Sequence, residues 1–310
     1  MKRAKWLLLL LALRLPLQAD TTLDTAKVKK AVVFIYAADA QGKADRRHPL
    51  GTGFLIMVPL KGSPLGKDAV VTGQLLLVTA RHLVDPAWAF CSTPQPELIY
   101  IRVNSKNYNP AKDALGVDYL PIRLVEKGKK QYFVNDDDKV DAAVTDVGLQ
   151  LSQDKNDYAP IRLSVFANSD EVGQLKIGDS IISAGLLPGR SGEKRNYPFF
   201  KFGDISNIPD EPVWIGCEKG MPELRLERVW IVAASLVGGN SGSPIFYAPS
   251  FLSKITRGVI IGLQSSSFGD PEFGSAGVAG MTPIEDIFKI IEQHVAPEMD
   301  LYRGDDSNRK

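Results

Sequence analysis

Gly238-Gly239-Asn240-Ser241-Gly242-Ser243-Pro244-Ile245-Phe246 packs three glycines, an asparagine and two serines into a tight turn between apolar segments. Val229–Ser235 leads in, and another apolar strand follows. Glycine and asparagine supply the special backbone geometry that such a turn needs. Ser241 sits at its centre. A serine nucleophile needs such a place, with its hydroxyl projecting outward and nearby N–H groups free to receive negative charge. The Gly239 amide can turn toward the same point as the amide of Ser241. A plain Gly/Asn/Ser loop has the same composition, so the turn alone leaves both readings open.

Outward from this turn the text is strand-like almost throughout. Candidate strands are Ala31–Tyr36, Thr52–Val58, Gln74–Thr79, Leu98–Val103, Leu120–Val125, Val140–Val147, Ile161–Val165, Ser180–Leu186, Phe199–Ile205, Val229–Ser235, Gly258–Leu263 and Gly277–Met281. They are rich in Val, Ile, Leu, Phe and Tyr and are punctuated by Gly, Pro, Asp and Asn. This spacing predicts an all-β sandwich or barrel architecture. One helix is expected, at the end. Thr282-Pro283-Ile284-Glu285 reads as a capping box with Thr282 as N-cap. Ile284, Ile287, Phe288, Ile291 and Val295 then form an apolar stripe that should pack on the second domain. Polar text around Asp146–Pro160 reads as a linker. The expected division is residues 20–150, residues 151–295 with the terminal helix, and a polar tail, 296–310.

Composition narrows the function classes. The chain has 310 residues, 44% hydrophobic and 24% charged, with a formal net charge of +1. There is no basic footprint for nucleic acid. Lys2, Arg3 and Lys5 precede the apolar run Trp6–Leu13, Pro16 breaks it, and Leu17-Gln18-Ala19 offers a small residue before a cut. Residues 1–19 therefore read as a secretory signal peptide, and the protein is expected to be secreted or periplasmic. The run is too short to span a bilayer, which needs about 20 apolar residues, and no stable membrane span is expected after its removal. Cys91 and Cys217 are the only two cysteines; they lie in different expected domains and are expected to be unpaired.

A serine needs a general base. The chain has three histidines. His48 sits in polar text and His294 ends the last helix. His82 ends the apolar strand in Leu76-Leu77-Val78-Thr79-Ala80-Arg81-His82, where a strand gives way to a turn. A third group orients the base. Asp136-Asp137-Asp138 is a solvated charge run, whereas Asp141 stands inside apolar text, Val140-Asp141-Ala142-Ala143-Val144. Burying a carboxylate there is costly unless something pairs with it, and an imidazole N–H is a suitable partner. Asp146 is the alternative.

Four blocks, Gly51-Thr52-Gly53-Phe54-Leu55, Thr79-Ala80-Arg81-His82, Asp141-Ala142-Ala143-Val144 and Gly239-Asn240-Ser241-Gly242-Ser243-Pro244, resemble the chymotrypsin-like serine peptidases. Their order, His then Asp then Ser, is that of this family. The nucleophile loop is most similar to that of bacterial glutamyl endopeptidases, and more loosely to that of the high-temperature-requirement proteases. Lys176-Ile177-Gly178-Asp179 and Gly203-Asp204-Ile205-Ser206 also resemble the second barrel of those proteins.

The resemblance implies two packed six-stranded antiparallel β-barrels and a serine endopeptidase acting on peptides or proteins. It implies His82, Asp141 and Ser241 as catalytic triad and the amides of Gly239 and Ser241 as oxyanion hole. It calls for no cofactor and no metal. It also assigns a substrate pocket to Ser235, to Gln264, Ser265 and Ser266, and to Val278 and Ala279, none of which is a carboxylate. Two positions depart from the pattern. Asn240 stands where animal members carry an Asp that pairs with a freed N-terminus, and Gln264 where glutamyl endopeptidases carry a His. After Val295 no room for a PDZ-like domain is expected. The competing readings are a catalytically silent protease-fold binding or scaffold protein, and a serine esterase.

Overall fold

The computed structural model describes residues 23–62, 73–85, 88, 97–109, 111, 115–187, 190, 192–216, 224–234, 236, 239–250, 253–270, 274–295 and 297–303. The expected signal peptide, both cysteines and Ser235 lie outside the described residues. Helix α1 (Thr25–Ala31) is capped by the Asp24 carboxylate, which accepts from the amides of Ala26 and Lys27.

The first half contains β1 (Val32–Ala38), β2 (Ala44–Pro59), β3 (Gly73–Thr79), α2 (Arg81–Val84), β4 (Leu98–Ser105), β5 (Val117–Arg123), a small hairpin of β6 (Val125–Glu126) and β7 (Lys129–Lys130), β8 (Phe133–Val134), β9 (Ala143–Asp146), β10 (Asn156–Asp157) and β11 (Ile161–Arg162). Nine of these strands form one sheet in the order β10-β4-β1-β2-β3-β9-β8, with β5 on β4 and β11 parallel to β2. Two partners share one edge of β2. β1 covers it as far as Phe54, and β11 continues at Ile56 and Met57. The sheet thus includes β10 and β11.

The second half contains α3 (Ser169–Val172), β12 (Ser180–Gly185), β13 (Phe199–Asn207), β14 (Val213–Gly216), β15 (Leu224–Glu227), β16 (Trp230–Ala234), β17 (Pro244–Tyr247), β18 (Val259–Asp270), β19 (Gly274–Pro283) and α4 (Ile284–His294). Six strands close a barrel, β12-β13-β16-β19-β18-β17, while β14 and β15 form a separate hairpin. The buried apolar side chains of both halves make one connected core. Phe34, Phe54, Phe166 and Phe246 are among its largest fully buried members, each stabilising by about 1.5–3 kcal/mol.

Four local expectations are corrected. Within Val140–Val147 only Ala143–Asp146 is strand, because the chain before it is diverted to bring Asp141 against α2. Ile161–Val165 is strand only to Arg162 and then a 3-10 turn. Thr282 does not cap the last helix. It is still paired within β19, opposite Leu263, and its hydroxyl donates to the Asp141 carbonyl at 3.2 Å. Pro283 takes the N-cap position without a side-chain cap bond. The helix buries Ile284, Ile287, Ile290 and Ile291. It packs not on the second half alone but also on β8 and β9, and Phe133 stacks on His294 with centroids 4.3 Å apart.

Candidate active site

β3 is apolar because it is sandwiched in the sheet, and it ends where Thr79 pairs with Ala143 of β9. The chain then turns into α2, whose second residue is His82. Asp141 lies two residues before β9, so this pairing sets the two side chains face to face. Asp141 is fully buried. One carboxylate oxygen accepts from the His82 backbone amide at 3.0 Å, and the other meets the His82 Nδ1 at 2.7 Å. Two anchors fix the ring's position and leave its far edge partly open: the His82 side chain keeps 24% exposure.

Burial pushes the pKa of His82 down, but the charge and hydrogen bond of Asp141 outweigh it and hold the imidazole above the ordinary histidine value. Burial pushes Asp141 up, and the His82 charge and hydrogen bond, with help from Arg225, outweigh that and hold it below the ordinary carboxylate value. The other candidates are elsewhere. Asp146 is exposed and accepts from Gln74. His48 is exposed and bonded to Asp45. His294 lies on the surface against Phe133.

The Ser241 turn is built from backbone that only glycine adopts freely. Gly239 and Gly242 have φ of 88° and 85°, and a Cβ on Gly242 would collide with the Thr52 carbonyl. The Gly242 amide donates to the Gln264 carbonyl at 2.7 Å, and the Ser243 amide to the Asn240 carbonyl at 2.8 Å. Neither the Gly239 nor the Ser241 amide has a hydrogen-bond partner among the described residues, and neither has the Ser241 hydroxyl.

Thr52, buried in the Gly51-Thr52-Gly53 block, joins this turn to the first sheet. Its amide donates to the Ser241 carbonyl at 2.9 Å, and its hydroxyl donates to the Gly239 carbonyl at 3.0 Å and accepts from the Leu186 amide at 2.9 Å. The Thr79 hydroxyl, three residues before His82, donates to the Thr52 carbonyl at 2.7 Å. Gly51 lies between Leu83 and Ser241, so close that a Cβ there would touch both. The turn and the His82 helix are therefore in register through one short strand segment.

Asn240 has a partner that the sequence reading did not foresee. Its side-chain oxygen accepts from Lys201 Nζ at 2.6 Å, and its amide donates to the Leu186 carbonyl. Burial lowers the Lys201 pKa. Gln264 and Ser265 are buried, as is Ala279, while Ser266 and Val278 are half-buried. The amide group of Gln264 and the hydroxyls of Ser265 and Ser266 are without partners among the described residues. Among the described residues no group of three His, Cys, Asp or Glu side chains could hold a metal ion, and no helix is long and apolar enough to cross a membrane.

No protein-family model matches the chain, and no curated protein matches it. Solved structures do. The protease domain of MamO from Magnetospirillum magneticum, in its apo form, is 13% identical, with a TM-score of 0.50 over 88% of this chain and 99% of that one. The active form of the Rv3671c protease from M. tuberculosis is 16% identical, with a TM-score of 0.47 over 88% of this chain and 84% of that one. At such identities the likeness is one of fold, and in fold this chain is similar to the trypsin-like serine proteases across about 88% of its length.

Proposed function

We propose that the chain is a serine endopeptidase in which His82, Asp141 and Ser241 act as a triad. The observation that carries this reading is the buried Asp141–His82 pair, tied through Thr52 to a glycine-shaped turn that presents Ser241. Ser241 Oγ attacks a peptide carbonyl as His82 takes its proton. Asp141 holds the imidazole and stabilises its charged form. The amides of Gly239 and Ser241 receive the oxyanion, each donor contributing on the order of 10²–10³ in rate. His82 returns the proton to the leaving amine, and water resolves the acyl-enzyme by the same steps. The Ser241–His82 hydrogen bond forms as substrate binds, since such bonds are long in unliganded enzymes. The positively charged, apolar start of the sequence supports export before folding.

Labelling with a fluorophosphonate probe tests the reading. Wild type is expected to label and Ser241→Ala not to. Absence of labelling in the folded wild type would favour the silent binding protein. Hydrolysis of simple esters with no cleavage of any peptide would favour an esterase.

A further inference from the structure

The β14–β15 hairpin is an addition to the barrel, inserted between β13 and β16. Its last strand carries two charged residues inward. Glu227 is fully buried. One of its oxygens accepts from Arg225 Nε at 2.6 Å and from Arg225 Nη2. The other, Oε2, is buried with no partner among the described residues. The Arg225 guanidinium lies 3.5 Å from the centre of the Trp88 ring, and Arg81, the neighbour of His82, lies 4.7 Å from the same ring. Directly after Glu227, the Arg228 amide donates to the Lys139 carbonyl at 2.9 Å, two residues before Asp141. The hairpin is thus stitched to the segment that delivers Asp141.

A buried carboxylate with an orphan oxygen is costly and calls for a reason. We propose that Glu227 is a positioning residue for the His82–Asp141 pair, a second buried carboxylate that sets how tightly His82 holds its proton, with Arg225 moderating its charge. Burial and then the charge of Asp141 push the Glu227 pKa up to about 7, opposed by Arg225 and His82. His82 in turn is held up by Glu227 and pushed down by Arg225. The charged group bonded to Glu227 is Arg225 on its own strand, and Asp141 and His82 from the first half are near enough for their charges to act on it. Further out lie Arg228 with Asp137 and Asp286, and Arg81 with Asp85 and Asp138. When Glu227 ionises, its charge makes the His82 imidazole hold its proton more firmly, so the two groups titrate as a coupled set.

The role of this coupling in catalysis rests on the reading of His82 as general base. The test does not, because it reads the imidazole itself by NMR titration of the three histidines. Glu227→Gln is expected to move the His82 midpoint down by on the order of one pH unit. Glu227→Met, which removes the charge but keeps apolar bulk, is expected to do the same and carries the test if the Gln variant does not fold. Glu227→Asp, which keeps the charge, should restore most of the wild-type midpoint. A His82 midpoint unchanged in a folded charge-free variant would overturn the proposal, whether or not the chain labels with the fluorophosphonate.

Discussion

His82 and Asp141 meet because a strand end and a diverted strand entry lie side by side, and the carboxylate takes both the amide and the ring of one residue. If these two act with Ser241 as a unit, their losses will not add. Ser241→Ala and His82→Ala should each abolish nearly all peptidase activity, and the double variant should lose little more. Steady-state kinetics on one peptide substrate decides this, and full activity in Ser241→Ala would remove the assignment. Asp141→Asn keeps the shape but reverses the hydrogen-bond preference of the ring, and a fall in kcat on the order of 10⁴ is expected. Both His82 and Asp141 were legible in the sequence, because an ionisable side chain among apolar neighbours has few affordable explanations. Glu227 was not. Arg225 and Glu227 alternate with Leu224 and Leu226, so the segment reads as a charged edge, and only the fold reveals which side is buried. Thr52 was legible as part of a motif, but its bonds reach Gly239 and Ser241, which sequence distance hides.

The turn around Ser241 owes its shape to its glycines and its footing to neighbours. Lys201 on β13 grips the Asn240 side chain from inside the barrel, a place where a freed N-terminus acts in the animal enzymes that this loop resembles. Lys201→Met should therefore lower kcat by roughly tenfold to a hundredfold with little change in KM, because the oxyanion amides lose alignment rather than substrate contacts. Unchanged kcat in the folded variant would show that the glycines and the bonds from Thr52, Gln264 and Leu186 hold the turn without Lys201. β18 runs beside the turn, since the Gly242 amide donates to the Gln264 carbonyl. If Gln264, Ser265 and Ser266 line the proposed substrate pocket, their amide and hydroxyls, partnerless among the described residues, suit an uncharged side chain before the scissile bond. A lysine or arginine there would lack a counter-charge, at a cost of several kcal/mol. A peptide library varied at that position is expected to favour neutral residues, and a clear preference for Arg, Lys or Glu would refute the assignment. The strand pattern of β12, β13 and β16 was legible because apolar runs bounded by Gly, Pro and Asp survive in any such barrel. The cap of α4 was misread because Thr282-Pro283-Ile284-Glu285 satisfies a local rule that β-pairing with Leu263 overrides.

Across the whole molecule, the shifted protonation of Asp141, His82 and Glu227 sets how stability depends on pH. Asp141, held below the ordinary carboxylate value, contributes stability above about the usual Asp range and loses it as pH falls through its folded value. His82, held above the ordinary value of 6.5, contributes stability at low pH that is lost as pH rises through its folded value. Glu227 works in the same sense as His82. Its pKa is raised from 4.5 to about 7, so between those values the folded chain keeps a proton that the unfolded chain releases, and stability falls as pH rises through that window. The shift corresponds to on the order of 3 kcal/mol at pH 8. Removing the charge with Glu227→Gln costs the bond to Arg225 at every pH, but it should flatten the fall in Tm between pH 5, where wild-type Glu227 is mostly protonated, and pH 8 by roughly 5 °C. Ser241→Ala, which touches no titrating group, should follow the wild-type curve throughout. Calorimetric Tm measured from pH 5 to pH 8 reads the difference directly. Parallel curves for wild type and Glu227→Gln would mean that the orphan oxygen of Glu227 finds compensation in the folded protein, and that the buried carboxylate does not govern the basic limb of stability.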